Sequence, residues 1–298
     1  MTGNEKVQIL LSSYQGEQFL EEQLDSLLRQ SWKNLEILIR DDGSGDGTRK
    51  ILEEYSKKYE HIKYFPGKNI GVTKSFFELL RQSDAEYVAF CDQDDVWLEH
   101  KVEAAVRKLA KAAGPALYCG NKILTDRSLT PMKKQSRRNL RPGFGNAAVE
   151  CICTGCTAVM NRELADIIAE RLPEYAILHD WWTYLAASYA GTVIFDPHPY
   201  ILYRQHEGNV VGAKGGFWGE VQSKAAYLKK SRGKLKRQLS EFARLYQGDS
   251  AKDRLVRQIL AAEKFPGRLK IIANRGIYRQ SALDEIIMRI LFLINRML

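Results

Sequence analysis

The sequence predicts an α/β fold with a mostly parallel sheet that carries helices on both faces, followed by a basic helical C-terminal region. Between residues 7 and 119, short apolar runs typical of buried strands alternate with segments whose leucines recur at helical spacing. Such alternation is typical of βαβ units and of a parallel sheet covered by helices. Beyond residue 216 the chain is helical and basic in pattern. The 298 residues are therefore predicted to form a body, residues 1–212, and a C-terminal region, residues 213–298.

The individual elements follow from this periodicity. Val7–Leu11 is an apolar strand, and Leu20, Leu24 and Leu27 place one core-facing stripe on a helix over 17–29. The rest of the body is predicted in order as strand 35–39, helix 48–59, strand 62–65, helix 73–81, strand 87–91, helix 99–113, strand 116–119, a polar loop or lid over 122–150, helix 161–172 with Asn161 as its N-cap, helix 180–190, and strands 192–195 and 200–204.

Composition excludes several classes of protein. The chain is 45% apolar and 27% charged, which are values of ordinary globular proteins and not of disordered, collagen-like or coiled-coil chains. No apolar run reaches the roughly 18 residues that a membrane span needs, and no export signal precedes the first strand. Five cysteines, an odd number, then indicate reduced thiols and a cytoplasmic protein.

Charge is divided unevenly along the chain. The C-terminal region holds 19 Lys and Arg against 7 Asp and Glu, a net charge of +12, whereas the whole chain has +9. The body is therefore slightly acidic. A basic region attached to an acidic body predicts two tasks. The body would hold acidic clusters for a metal ion, and the C-terminal region would bind an anionic partner, such as a membrane surface or a nucleic acid.

Two acidic turns follow strands of the body. Three carboxylates in Asp92–Asp95 come directly after the buried strand 87–91, where like charges repel and lose solvation. A divalent cation removes that conflict, and hard oxygen ligands suit Mg²⁺ or Mn²⁺. Asp41 and Asp42 follow the strand 35–39, where they could accept hydrogen bonds from a base or a ribose, although an Asp-Gly cluster is also typical of an ordinary turn. Because ligands bind at the carboxyl ends of parallel strands, both turns are predicted to lie at a site.

Seven short segments of the body then occur in a characteristic order: Ile9–Tyr14, Arg40–Ser44, Asn69–Val72, Phe90–Trp97, Thr154–Cys156, His179–Trp182 and Leu202–His206. Their order and spacing resemble those of family 2 glycosyltransferases of the GT-A fold, over about residues 5–212. The form of the Phe90–Trp97 segment, with the later Arg204-Gln205-His206, looks most like the rhamnosyltransferase branch. The resemblance implies dTDP-L-rhamnose as the donor, with a UDP-sugar as the alternative, and a saccharide or lipid-linked acceptor.

The resemblance also implies roles for individual residues. Residues of the nucleotide-sugar pocket would be Ser12, Tyr14, Asp41, Asp42, Asn69, Lys74, Asp92 and Gln93. Ligands of Mn²⁺ or Mg²⁺ would be Asp94, Asp92 and His206, with Asp94 the principal one. Asp180 falls at the position of the catalytic base, and the acceptor or sugar pocket would be formed by Thr154, Gly155, Trp181, Trp182 and Arg204.

The expected mechanism is one displacement with inversion at the anomeric carbon. The nucleotide diphosphate leaves with developing negative charge, which a divalent ion at Asp94 would stabilise. The acceptor hydroxyl loses its proton to Asp180 as it attacks from the opposite face. The chain carries Arg204-Gln205-His206 in place of the Q-x-x-R-W motif of processive synthases, which favours the addition of one or a few sugars.

Other classes of function remain as alternatives. A sugar-nucleotide nucleotidyltransferase shares the βαβ organisation, but Ser12–Gly16 lacks the basic residue expected in its phosphate loop. A nucleic-acid-binding protein would explain the basic C-terminal region but not the acidic turns, so no nucleic acid is expected. Three cysteines, Cys151, Cys153 and Cys156, could suggest zinc, but no fourth ligand or second spaced pair accompanies them, and buried thiols are favoured. Trp181 and Trp182 either pack in the core or stack on a sugar.

The end of the C-terminal region is apolar and flanked by arginines. Ile286–Arg296 is too short and too charged to span a bilayer, but such a helix can lie in a membrane interface. We therefore expect 270–298 to place the enzyme at the inner face of the cytoplasmic membrane. Packing against the body or against a second subunit, as in a homodimer, is the alternative.

Overall fold

The structure is a computed structural model that describes residues 4–133, 139–206 and 233–298. The described residues form two compact units. The first, here called the sheet unit, takes its residues from Met1–Leu140, Cys153–Leu172 and Leu178–His206. The second, the helical unit, takes its residues from Arg141–Ile152, Pro173–Ile177 and Glu207–Leu298. The boundary predicted between residues 212 and 213 lies outside the described residues.

The elements of the sheet unit are eight strands, six α-helices and a 3-10 turn within the described residues. In chain order they are β1 (Val7–Ser13), α1 (Leu20–Leu28), β2 (Leu35–Asp41), α2 (Thr48–Lys58), β3 (Ile62–Pro66), α3 (Val72–Gln82), β4 (Tyr87–Cys91), β5 (Val96–Trp97), α4 (Lys101–Leu109), β6 (Ala116–Thr125), the 3-10 turn Gly155–Thr157, β7 (Ala158–Asn161), α6 (Arg162–Glu170), α7 (His179–Ala190) and β8 (Thr192–Arg204). The short helix α5 (Phe144–Ala147) belongs to the helical unit.

One sheet contains all eight of these strands, in the order β3-β2-β1-β4-β7-β6-β8-β5. The pairs β1–β2, β1–β4, β2–β3 and β6–β8 are parallel, and β7 runs antiparallel between β4 and β6. The central strands β1 and β4 are almost wholly buried because helices cover both faces. This mixed sheet confirms the predicted α/β class.

Register brings the carboxyl ends of three central strands together. Ser13 of β1 is paired with Asp41 of β2, and Leu11 of β1 is paired with Cys91 of β4. The chain that leaves each of these strands therefore emerges at the same edge of the sheet. This edge carries the acidic turns singled out in the sequence.

The structure corrects four details of the sequence prediction. Strands β5 and β7 were not expected, and β8 is one strand where two were predicted, since Pro197 and Pro199 lie within it. Its partner β6 shifts register near Asn121, which lets the pair continue past the prolines. The predicted loop over 122–150 begins as the end of β6 and contains α5. The predicted cap is confirmed, because the Asn161 side chain accepts a hydrogen bond from the Leu164 N–H.

The helical unit contains α5 and four further helices among its described residues. These are α8 (Lys234–Leu245), α9 (Ala251–Ala261), α10 (Phe265–Ala273) and α11 (Ala282–Leu293), which bear out the predicted helical C-terminal region. Its buried side chains include Phe242 stacked on Tyr246, and Met288 and Phe292 of α11. None of the helices that the structure describes is both long enough and apolar enough to cross a bilayer.

Candidate active site

The loop after β1 is fixed by a side chain from the loop after β4. The Gln93 Oε1 accepts hydrogen bonds from the Tyr14 N–H at 2.8 Å and the Ser13 hydroxyl at 2.9 Å. Its Nε2 donates to the Tyr14 carbonyl at 2.9 Å. A Cβ at Gly16 would overlap the Gln93 amide, so a larger residue there would displace this side chain. These hydrogen bonds fix the loop after β1 and the loop after β4 to each other at this edge of the sheet.

Asp41 and Asp42 are buried and already accept hydrogen bonds from the protein. The Asp41 carboxylate accepts from the Ser44 N–H at 3.0 Å and from the Arg49 Nε at 2.9 Å. The Asp42 carboxylate accepts from the Gly71 N–H at 2.8 Å and from Arg40. These bonds hold the loops that follow β2 and β3. The role of both carboxylates as nucleotide ligands stays a prediction.

The other residues predicted for the nucleotide pocket differ in exposure. Tyr14, Asn69 and Lys74 are exposed, which leaves their side chains accessible to a ligand. Ser12 is half-buried, and its hydroxyl bonds to the Ser75 hydroxyl at 2.7 Å. Ser75 lies on α3 and also accepts a hydrogen bond from Arg40. Ser12 is thus tied into the network that fixes the loop after β2.

Two predicted metal ligands lie side by side. The His206 Nε2 is 2.7 Å from the Asp94 Oδ2, and the His206 ring packs on Phe19 with 5.0 Å between ring centroids. The sequence places them 112 residues apart. They meet because β8 ends beside the loop that follows β4.

Arg204 positions this acidic loop. Its guanidinium donates to the Asp94 carbonyl at 2.8 Å and to the Glu22 carboxylate, and its backbone N–H donates to the Asp95 carboxylate at 3.0 Å. The Arg204 side chain is buried and packs on the Phe19 ring. These contacts are those of a residue that holds the loop, and a direct role of Arg204 in the sugar pocket stays a prediction.

A second acidic group lies deeper in the same loop. Asp92, Asp95 and Cys156 offer ligand atoms that all lie within 4.8 Å of one another. The Asp95 Oδ2 is buried and receives no N–H or O–H donor from the described residues. Burial, followed by the charges of Asp94 and Asp180, raises the pKa of Asp92 to about 7. Burial and the neighbouring carboxyls also raise the pKa of Asp95, so ionisation of this cluster is opposed, and a hard divalent cation on its oxygen donors would remove that conflict.

The three cysteines near Gly155 differ in burial. Burial, followed by the charges of Asp95 and Asp92, raises the pKa of Cys156 well above its usual value, so the thiol stays neutral. Cys153 is also buried and its pKa is likewise raised, first by burial. Cys153 and Cys156 therefore agree with the interpretation as buried thiols, whereas Cys151 is half-buried.

Asp180 lies in the first turn of helix α7 and is held by backbone donors. Its carboxylate accepts from the Gly155 N–H at 3.0 Å and from the Trp181 N–H at 2.6 Å. Burial raises the pKa of Asp180 to about 6, although these two bonds and the charge of Lys122 act in the opposite direction. A carboxylate with this pKa is mostly ionised at neutral pH and is still basic enough to accept a proton.

His179 anchors the start of α7 in an aromatic pocket. Its ring stacks on Phe76 at 3.9 Å and meets the edge of Phe90 at 4.9 Å between centroids. Burial lowers the pKa of His179 to about 3, so the imidazole is neutral. Gly155 is required above it, because a Cβ there would lie 2.7 Å from the His179 Nε2. This packing fixes the backbone from which Asp180 projects.

Lys122 is the residue of the site that the sequence did not reveal. Its ammonium donates to the Thr154 hydroxyl at 2.6 Å and lies 4.1 Å from the centre of the Tyr203 ring. Its charge lowers the pKa of both Asp92 and Asp180. In the sequence, Lys122 is one of several bases in a polar segment, and only the extension of β6 to Thr125 brings it to this edge.

The two tryptophans after Asp180 have different environments. Trp182 is fully buried and belongs to the core, which decides between the two interpretations for this ring. Trp181 is half-buried, so only the Trp181 ring of this pair is accessible to a sugar. Thr154 and Gly155 lie beside Lys122 and Asp180, as described. Their part in an acceptor pocket stays a prediction.

Comparison with known proteins places this geometry in a family. The model for glycosyl transferase family 2 matches residues 8–168. A dTDP-rhamnosyl transferase, RfbG of Shigella flexneri, is 33% identical over 226 residues, which cover 70% of this chain and 75% of that protein.

Solved structures share the fold. The mannosyltransferase PcManGT of Pyrobaculum calidifontis, in complex with GDP-Man and Mn²⁺, superposes with a TM-score of 0.59 at 19% identity over 99% of this chain and 86% of that one. TarS 1–349 of S. aureus, in complex with UDP-GlcNAc, gives a TM-score of 0.59 at 15% identity over 98% of this chain and 79% of that one. At these identities the likeness shows the fold.

Proposed function

The chain belongs to glycosyl transferase family 2, and on that basis we propose that it transfers L-rhamnose from dTDP-L-rhamnose, with inversion, to a hydroxyl of a cell-surface polysaccharide or of its lipid-linked precursor. Family membership confirms the resemblance seen in the motifs. It makes the chain a glycosyltransferase with a sugar-nucleotide donor and decides against a nucleotidyltransferase. The donor sugar, the acceptor, the stereochemistry and the metal dependence form the proposal.

The proximity of Asp180 to the acidic loop carries the proposal. The pKa of Asp92 is raised first by burial, then by the charge of Asp94 and then by the charge of Asp180. The last of these effects reflects the proximity of Asp180 to the loop. A base and an acidic cluster at one edge of the sheet are what an inverting transfer needs, because the proton acceptor and the group that neutralises the diphosphate act on the same anomeric carbon.

Asp180 is assigned the role of base in this reaction. The acceptor oxygen forms a bond to the anomeric carbon while the bond from that carbon to the diphosphate oxygen breaks. The hydroxyl proton passes to an oxygen of the Asp180 carboxylate, and the nucleoside diphosphate leaves with the bonding electron pair. Lys122 favours the ionised carboxylate, and the bonds from Gly155 and Trp181 fix its orientation.

Asp94, Asp92 and His206 are the residues that would hold Mn²⁺ or Mg²⁺, with Asp95 adjoining them. The fit rests on the donor set described above, in which burial and repulsion between carboxyls oppose ionisation until a cation is bound. A divalent ion bound there would stabilise the negative charge that develops on the leaving diphosphate. Arg204 and Glu22 keep the loop in place for this task.

The choice of L-rhamnose rests on similarity. The relative at 33% identity is named a dTDP-rhamnosyl transferase, and its alignment covers most of both chains. The solved neighbours hold GDP-Man or UDP-GlcNAc, but their identity to this chain is below one fifth. The curated relative is therefore the better guide to the donor, and a UDP-sugar is the alternative.

A donor panel tests the proposal. The full chain is incubated with dTDP-L-rhamnose, UDP-glucose, UDP-GlcNAc and GDP-mannose, each with Mn²⁺, and released nucleoside diphosphate is measured. We expect release from dTDP-L-rhamnose above all others, and more when saccharide acceptors are added. Greater release from a UDP-sugar would replace the proposed donor.

Variants keep this test specific to the site. Asp94→Asn should abolish most of the release, whereas Asp166→Asn, which changes an exposed carboxylate on α6, should leave it unchanged. Equal activity of Asp94→Asn and the unmodified chain would refute the proposed site.

A further inference from the structure

The last two helices of the helical unit expose an unusual number of large apolar side chains. Seven of them are between 43% and 59% exposed. They are Phe265 and Leu269 of α10, Leu283, Ile286, Ile290 and Leu293 of α11, and Ile294 directly after it, and together they are called here the apolar surface. Patches of this kind on a folded protein indicate a surface that binds something.

The pattern along α11 is that of an amphipathic helix with two apolar sides. Met288 and Phe292 face the interior of the unit and are buried. The exposed apolar residues follow one another at helical spacing on another side of the helix, at positions 283, 286, 290, 293 and 294. Among the described residues, α11 thus buries one side and exposes an apolar one.

Cations are interspersed with the apolar surface along the sequence. From residue 264 to residue 298 the chain holds seven Lys and Arg against two Asp and Glu. Lys270, Arg275 and Arg296 are exposed and have no ion pair or side-chain hydrogen bond with the described residues. By contrast, the Arg289 guanidinium is occupied, since it binds Glu285 and carbonyl groups at the end of α10.

An open cleft of about 820 Å³ in the helical unit adds to this positive charge. Arg141, Arg275 and Tyr278 line it, together with Arg289 and Glu285 of α11. The Arg141 guanidinium lies over the Tyr278 ring, at 5.6 Å from its centre, and so keeps its charge available. An anionic group that entered this cleft would meet Arg141 and Arg275.

From these observations we infer that the apolar surface binds an anionic lipid bilayer. Its apolar side chains lie at the level of the lipid headgroups, and Lys270, Arg275 and Arg296 contact lipid phosphates. An interfacial helix is held by its buried apolar area together with bases near anionic lipid. A second copy of the chain fits less well, because a two-fold contact would bring two sets of excess cations together. The inference holds whichever sugar the enzyme transfers.

Co-sedimentation with vesicles tests the inference on the full chain. Vesicles of phosphatidylcholine are compared with vesicles of equal parts phosphatidylcholine and phosphatidylglycerol. We expect binding to the anionic vesicles that weakens as salt is raised, because salt screens the bases. Full binding to phosphatidylcholine alone would contradict the need for anionic lipid.

Two double variants separate the apolar and the basic contributions. Replacing two isoleucines, Ile286→Ser with Ile290→Ser, should weaken binding roughly tenfold, while the exposed control Met132→Ser should not. Removing two charges, Lys270→Gln with Arg275→Gln, should weaken binding roughly thirtyfold, at about 1 kcal/mol per base. Lys50→Gln with Lys57→Gln, two exposed bases of α2, is the matched charge control.

Thermal unfolding and size-exclusion chromatography accompany these assays. An unchanged midpoint in each variant shows that lost binding is not lost folding. Equal sedimentation of all proteins, or none by the unmodified chain on either vesicle, would overturn the inference. Conversion of a dimer to a monomer by the isoleucine variant, without vesicle binding, would assign the apolar surface to a second copy and would also overturn it.

Discussion

The two units of the molecule differ in how they use their surface. In the sheet unit, polar side chains at the strand ends are bound to backbone and to one another, as Gln93, Arg204 and Asp42 illustrate. In the helical unit, α10 and α11 instead leave apolar side chains half exposed. Preorganised charge suits chemistry, whereas exposed apolar area suits attachment. The contrast agrees with the two proposals made above, which are catalysis by the sheet unit and membrane attachment by the helical unit.

The largest effect is expected from the base. Asp180→Asn keeps the size of the side chain but removes the proton acceptor, so turnover should fall by roughly 10²–10⁴. Donor binding should persist, because the lost charge acts on the acceptor. Steady-state kinetics and titration of dTDP measure the two quantities separately. Near-full turnover in the variant would place the base elsewhere and weaken the contrast between the units.

A pair of variants within α11 tests whether its two sides differ as the structure indicates. Met288 is buried, so Met288→Ala should lower the free energy of unfolding by about 2–5 kcal/mol. Ile290 is half exposed, and Ile290→Ala should change it by less than about 0.5 kcal/mol. Denaturant unfolding of both variants measures the two changes in the free energy of unfolding. Similar losses would mean that the apolar surface is part of a core.

The pH dependence of turnover sharpens the account of the sheet unit. Burial raises the pKa of Asp180 to about 6. The carboxylate is charged above that value, so turnover should fall as the pH drops through 6. Lys122→Gln removes a charge that lowers this pKa and should move the acid limb upward by roughly one pH unit. The pH profile of the turnover rate measures this shift. An acid limb at the same pH in Lys122→Gln would show that Lys122 does not influence the pKa of the base.

The smallest effect concerns an ion pair far from the site. Burial alone would raise the pKa of Glu36, but hydrogen bonds from Lys63, Gln8 and Lys6 lower it to about 2. The charged carboxylate therefore stabilises the fold above its unfolded pKa of about 4.3, and this contribution is lost as the pH falls towards 2. Glu36→Gln should cost about 1 kcal/mol at neutral pH.

Unfolding at several pH values checks that expectation. The difference between Glu36→Gln and the unmodified chain should shrink as the pH falls from about 4.3 towards 2. A constant difference over that range would attribute the cost to packing rather than to charge.

Much of the sheet unit could be predicted because its signals are local. Apolar runs and leucine spacing located the parallel strands and the helices between them. The antiparallel strand β7 escaped prediction because it is four residues long and pairs only with distant segments. Strand β8 was divided at its prolines, since a proline lacks the N–H that a regular ladder uses.

The site was predictable in part for the same reason. The acids Asp92, Asp94 and Asp180 were found because they follow strands or form motifs in the sequence. Lys122 reaches the site only through pairing between segments far apart, so it carries no signal of its own, and the packing of His179 was equally invisible although the residue lies in a motif. Exposure was also invisible in the sequence: Trp181 and Trp182 are adjacent and alike, yet only Trp182 is fully buried.

The most direct test of the central claim is the titration of dTDP into the full chain, with and without Mn²⁺, for the unmodified chain, Asp94→Asn and the control Asp166→Asn. If the acidic loop at the end of β4 holds the cation that neutralises the diphosphate, Mn²⁺ should strengthen binding to the unmodified chain and to Asp166→Asn by roughly tenfold or more. It should have little effect on Asp94→Asn. The same Mn²⁺-dependent gain in affinity in Asp94→Asn would contradict the claim.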